Sequence, residues 1–187
     1  MLLAEKSFLW MKCFQFILVH LLLAIAHSQL SSNATLSYFG GSNNGAYQSW
    51  LDAAASDYTN SLFLESAVDD SQGVAVHWRL DRTTERIYLA VASRTTGWVG
   101  FGISENGGMQ GADILLFEAT RPDTLIDSYN LEDRGPLSDD YQDWNLTSSA
   151  TDGGFLIFEA NRAFDTGDAQ DRVIMPDAEE AVPEARM

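Results

Sequence analysis

The sequence predicts an all-β domain, an antiparallel sandwich or barrel, and three observations lead to it. From Leu62 onward, seven or more short strand-like runs follow one another. Clusters rich in Asp, Gly, Thr and Pro punctuate them as turns. No long stretch of that region carries the apolar period of an amphipathic helix. Short strands at this spacing are the signature of sandwiches and barrels.

The runs are taken in order. In the first, Val74 to Leu80, Val74, Val76, Trp78 and Leu80 share one face, and His77 sits beside Trp78 as a buried or edge histidine with its polar needs met. Ile87 to Ala92 follows, with Ile87, Leu89 and Val91 on one side. In Gly97 to Ile103, Trp98 reads as a core anchor, and Gly97, Gly100 and Gly102 keep one sheet face small. Asp113 to Phe117 carries the unbroken Ile114-Leu115-Leu116-Phe117, which predicts burial on both faces. Leu125 to Tyr129, Tyr141 to Leu146 and Phe155 to Ala160 complete the set. The turns between runs include Asp81 to Thr84, Glu105 to Gly108, Arg121 to Asp123 and Asp152 to Gly154.

The ends read differently. Lys6 and Lys12 precede a 13-residue apolar run, Phe14 to Ala26, interrupted only by Gln15 and His20, and Ala26-His27-Ser28 is a small-x-small cleavage signal. Residues 1–28 are therefore expected to be a secretory signal peptide, with an uncleaved anchor as the alternative. The run is shorter than the roughly 20 residues that span a bilayer, and no second apolar run of that length follows. Residues 29–61 read as an N-terminal extension, partly flexible. Trp50, Leu51 and Tyr58 are its packing points, and the pattern from Ala46 to Ser61 does not decide between helix and loop. The sandwich is expected over 62–176, and 177–187 reads as a disordered acidic tail. Asn33 and Asn145 each begin a glycosylation sequon, which export would make usable.

Composition narrows the function. The 187 residues carry a formal net charge of -16, and 45% are hydrophobic, enough for one well-cored domain. Such acidity argues against nucleic acid and anionic membrane surfaces, which would repel it. Signal removal takes the single cysteine, Cys13, so disulfides cannot hold the mature chain. It also takes His20 and His27, leaving His77 as the one histidine. No nucleophile elbow or phosphate loop is present, and acid pairs such as Asp69-Asp70 and Asp139-Asp140 are expected by chance in so acidic a chain.

The run Gly97-Trp98-Val99-Gly100-Phe101-Gly102-Ile103-Ser104 is followed by Gly107-Gly108-Met109-Gln110-Gly111-Ala112-Asp113-Ile114. Downstream lie Asp127-Ser128-Tyr129, Asp139-Asp140-Tyr141-Gln142, and the segment from Arg162 to Asp171. Together these resemble a DOMON domain, over about Leu62 to Ile174. The likeness is strongest to the module at the front of copper-dependent, ascorbate-using monooxygenases of the dopamine β-hydroxylase type. The resemblance implies an immunoglobulin-like β-sandwich. It also implies a binding or interaction module, non-catalytic on its own, with a small ligand or a protein as partner. Copper is not expected in this chain, because those enzymes hold it in separate domains and each site needs several imidazole or thioether ligands. The alternative is that the chain is the truncated N-terminal domain of such an enzyme.

The resemblance also nominates sites. Some DOMON domains are haem cytochromes with a Met/His ligand pair, and Met109 stands where the family's methionine sits. No histidine follows His77 to complete the pair, so haem is not expected. In the copper-monooxygenase type a metal is held by the acids of the "GAD" and "D-Y" elements, here Asp113 and Asp140, with the backbone carbonyls of Ile114 and Ser128. Calcium suits such oxygen ligands. Asp113 also stands out on its own, since a carboxylate opening an apolar strand must be paired or coordinated if buried. A concave aromatic face for a sugar or phenolic ligand, using Trp78, Trp98, Tyr129, Tyr141 and Trp144, is the third option.

Overall fold

A computed structural model describes residues 16–19, 45–65, 73–104, 109–131 and 135–176. Among the described residues, ten strands form two five-stranded sheets. In the first, β1 (Phe16–Val19), β5 (Trp98–Ile103), β6 (Asp113–Glu118), β7 (Leu125–Tyr129) and β8 (Leu137–Ser138) lie side by side in that order. The second sheet runs β2 (Asn60–Glu65), β3 (Gly73–Asp81), β4 (Arg86–Ser93), β10 (Phe155–Ala163) and β9 (Asn145–Asp152). Every pairing is antiparallel except β1 with β5. The expected all-β sandwich is the observed one.

Alternation builds the core. Val74, Val76, Ile87, Leu89, Val91, Leu156 and Phe158 point inward from the second sheet and meet Val99, Phe101, Leu115 and Phe117 of the first. Trp78 and Leu80 pack against this cluster at its margin. Strand β6 is apolar on both faces, with Ile114, Leu115 and Phe117 all buried.

Two sequence expectations are corrected. Trp98 is not the core anchor of β5: Val99, Phe101 and Ile103 fill the core, and Trp98 is half-buried on the opposite face. Gly100 shares that opposite face, where an added Cβ would lie 3.1 Å from Leu116 and 3.6 Å from the Trp98 ring. The tight approach is to Leu116, so the glycine makes room for that leucine, while the indole would meet the added carbon only at ordinary contact distance. The strand expected at Tyr141 to Leu146 instead begins at Asn145 and runs to Asp152. Residues before it form a loop because Gln142 occupies a neighbouring strand's place. Its carboxamide accepts from the Asp127 N–H at 2.9 Å and donates to the Asp127 carbonyl at 3.0 Å. The real strand is Ser- and Thr-rich and mostly exposed at the sheet's edge, so it lacks an apolar signal.

Helix α1 (Gly45–Ala54) and a 3-10 turn (Ala55–Asp57) resolve the undecided stretch. Tyr47, Trp50 and Leu51 fall at helical spacing and face the outer side of the second sheet. There Tyr47 joins Ala75, Ala92, Phe155 and Ile157 in a second buried cluster. The extension is thus a strap over the sheet from residue 45 onward. Of residues 1–28 only the strand Phe16–Val19 is described; Asn33 and the tail 177–187 lie outside the described residues. No helix among the described residues is long and apolar enough to cross a membrane.

Candidate cation site

Both sheets contribute to an acidic centre at one end of the sandwich. Asp113 opens β6, and Asp127 on β7 stands opposite Leu115, so the two acids share the inward face. Asp171 comes from the segment after β10. One carboxylate oxygen from each of the three lies within 4.8 Å of the others. Asp113 and Asp127 are nearly inaccessible, at 2% and 1% exposure.

The counter-charge is Arg162, fully buried on β10. Its Nη1 lies 2.6 Å from Asp113 Oδ2 and 3.0 Å from Asp171 Oδ2, and its Nη2 donates to the Arg172 carbonyl at 2.7 Å. The guanidinium also lies 5.1 Å from the Trp144 ring centre. The Arg172 N–H donates to Asp113 Oδ2 at 3.0 Å, and Asp127 Oδ2 accepts from the Asp143 N–H at 3.1 Å. The Arg172 side chain turns away, donating through Nε to the Gly111 carbonyl at 2.7 Å. Gly111 takes a left-handed φ of +70° there.

The protein's own groups leave the centre under-satisfied. Buried oxygens Asp127 Oδ1, Asp139 Oδ2, Asp168 Oδ2 and Asp171 Oδ1 accept no hydrogen bond. Unpaired buried carboxylate oxygens are costly. The imbalance shows in proton affinity. Burial, opposed by Arg162, pushes Asp113 up to about 6. Burial and then the neighbouring charges of Asp113 and Asp171 push Asp127 up to about 7. Asp139 and Asp143 are also raised, chiefly by burial.

This donor set is all oxygen, without sulfur or imidazole, and suits a hard cation such as calcium. The orphaned oxygens are where ligand bonds would go, so the residues fit the ion.

The nominated residues are placed as follows. Asp113 is in the centre. Ile114 and Ser128 stand opposite each other in the β6–β7 ladder, each one residue beyond a cluster acid. Asp140 is exposed and is not in the carboxylate group; its backbone N–H donates to Gln170 Oε1 at 3.3 Å. The buried member of that pair is Asp139. Met109 is half-buried before β6, on the first sheet's side, whereas His77 is on β3 of the second. His77 is buried with its Nε2 3.0 Å from the Tyr47 hydroxyl, and burial lowers it to about 4. Asn145 is exposed at the start of β9.

Sequence reasoning missed Asp127, Asp171 and Arg162. The first and last had a usable signal, since each is a charge on an inward strand position, the argument applied to Asp113. Asp171 has no periodicity signal, because it lies after β10; its pointer is the family element from Arg162 to Asp171.

Two sheets closed over one apolar core, with oxygen donors gathered at their shared end, define a β-sandwich module. A family model for the DOMON domain matches residues 70–182, more than half of the chain, and the chain belongs to the DOMON domain family. It is 31% identical over 125 residues to "DBH-like monooxygenase protein 1" of Mus musculus, covering 65% of this chain and 20% of that protein. It is 28% identical over 121 residues to "DBH-like monooxygenase protein 2" of Mus musculus, covering 64% of this chain and 20% of the relative. Against the Gallus gallus "DBH-like monooxygenase protein 1" it is 37% identical over 83 residues, 43% of this chain and 13% of the relative. The chain thus spans about one fifth of the two mouse relatives it matches.

Proposed function

We propose that the protein is a secreted DOMON-type binding module, non-catalytic on its own, whose sandwich is locked by a calcium ion held at Asp113, Asp127 and Asp171. The observation that carries this is the charge count at a buried centre: three carboxylates around one guanidinium, with Asp127 Oδ1 and Asp171 Oδ1 unpartnered. A divalent cation supplies the missing charge and takes up those oxygens, and the carbonyls of Ile114 and Ser128 stand near enough in sequence to add to the set. The ion's contribution is structural, tying β6 and β7 to the segment that closes the domain. Export is supported by the apolar N-terminal run and its cleavage signal; cleavage there removes β1 and leaves β5 at the edge of the first sheet. The non-catalytic reading is supported by the state of His77, the only histidine after that cleavage signal, which is buried and bonded to Tyr47.

The test is a thermal melt of the purified protein in millimolar calcium and after chelator. A rise in the midpoint with calcium supports the reading; identical curves reject the cation. A second reading, that this module is the front of a longer copper monooxygenase, is favoured by the fraction of each relative that the chain spans. Reading the transcript past Met187 tests it. A continuing frame with paired histidines and many cysteines supports it, and a stop codon opposes it.

A further inference from the structure

The outer face of the second sheet carries a cleft, with Glu159 pointing outward from the same strand that points Arg162 inward to the acid cluster. Beyond the C-terminal end of α1, a cavity of about 560 Å³ is bounded by Asp57, Tyr58, Arg79, Tyr88, Thr147 and Glu159, among others. That volume lies within the roughly 300–1,000 Å³ of small-molecule sites.

We propose that this cleft binds a small zwitterion of the amino-acid class, its carboxylate on Arg79 and its ammonium on Glu159. The two opposite charges face one cavity without pairing with each other. Arg79's ion-pair contact is with Asp81, at 3.5 Å. Glu159 is held in place by neutral donors, and Arg79 by one long contact to Asp81 together with neutral groups. Glu159 accepts from Trp50 Nε1 at 3.0 Å and from the Tyr58 hydroxyl at 2.7 Å. Arg79 donates through Nε to the Asp57 carbonyl at 3.0 Å and lies 3.9 Å from the Tyr88 ring centre. Fixed charges of both signs that do not pair with each other lower the ordering cost of a ligand that carries both. The guanidinium fork suits a carboxylate, and the Tyr58 ring offers a wall for a flat body.

The wall opposite is also irregular. The β9–β10 register pairs Ser148 with Glu159 but Leu146 with Ala160, so Thr147 is the extra residue of a bulge. Bulges are over-represented beside binding sites, where they re-aim a side chain. Tyr58 and Asp57 lie before residue 70, outside the segment that matches the family model. The cleft is therefore assembled from both the DOMON sandwich and the strap, and family membership alone does not supply it.

Titration calorimetry with three probes of one shape tests the proposal: L-tryptophan, tryptamine and indole-3-propionate. L-tryptophan is expected to bind at least tenfold more tightly than either singly charged analogue. Arg79→Gln is expected to bring it down to the level of tryptamine. Thr147→Trp, compared with the parent with both proteins made without glycosylation because the change removes the Asn145 sequon, leaves both charges and their partners intact and is expected to abolish binding without moving the melting midpoint. No heat from any probe, equal affinities for all three, tighter binding of one analogue, or L-tryptophan binding unchanged in both variants would overturn it.

Discussion

Asp127→Asn changes the sign of its effect on stability with the presence of calcium. Burial and the charges of Asp113 and Asp171 raise the Asp127 carboxyl from its ordinary 3.8 to about 7. Between those values the folded chain holds a proton that the unfolded chain has released. Without a cation, stability therefore falls as pH rises through that window. At 1.36 kcal/mol per pH unit, a window of about 3 units costs at most ~4 kcal/mol once the pH passes about 7. Movement of the 139–143 loop and entering water reduce that cost. Asparagine removes the charge but keeps an oxygen to accept from the Asp143 N–H. In chelator at about pH 8, where Asp127 is ionised, the variant is expected to be more stable than the parent, by about 1–4 kcal/mol. In calcium it has lost a ligand and is expected to be less stable. The comparison between variant and parent also cancels His77, whose lowered value of about 4 works the other way, removing stability as pH falls below its ordinary 6.5. The assay is urea unfolding of both proteins with and without calcium. An equal loss in both conditions would refute the reasoning, because it would mean that the Asp127 charge is already compensated by the protein.

Three further outcomes follow from the same geometry. Calcium affinity should strengthen as pH rises from about 5 to about 8, because Asp113 and Asp127 must shed protons to bind; calorimetry across that range checks it, and a flat profile counts against the site. Arg162→Met should destabilise the calcium-free protein by about 3–5 kcal/mol, since it leaves Asp113 and Asp171 buried without their cation; denaturant midpoints measure this, and calcium should recover part of the loss. Gly73→Ala should cost about 1–3 kcal/mol, because the new methyl would sit 2.6 Å from the Phe63 ring and 2.9 Å from the Leu64 carbonyl oxygen; a melt of the variant reads it directly.

The sandwich was legible wherever one face of a strand is buried. Val74, Val76, Ile87, Leu89 and Val91 alternate in the chain and meet in the core. Strand β9 was misplaced because its exposed Ser and Thr residues carry no such contrast, and because the loop before it mimics strand pairing through Gln142. Trp98 was assigned to the wrong face because side-chain size suggested burial, whereas Val99 and Phe101 set the parity. Helix α1 was ambiguous because its apolar face covers a sheet already closed on its other side, and needs only Tyr47, Trp50 and Leu51. At the acid centre, Asp113 was visible as a charge against an apolar strand. Asp127 and Arg162 carry the same signal, but their meeting with Asp171 is not readable, because the three converge from β7, β10 and the closing segment. Contact between such distant positions is a property of topology, which periodicity does not encode.

The sharpest check is a crystal structure of the protein grown in calcium, with the ion located by its anomalous signal. The account predicts a peak bounded by oxygens of Asp113, Asp127 and Asp171, at about 2.3–2.6 Å from each. Well-ordered density for all three carboxylates with no ion among them, and Arg162 alone bridging Asp113 to Asp171, would contradict it.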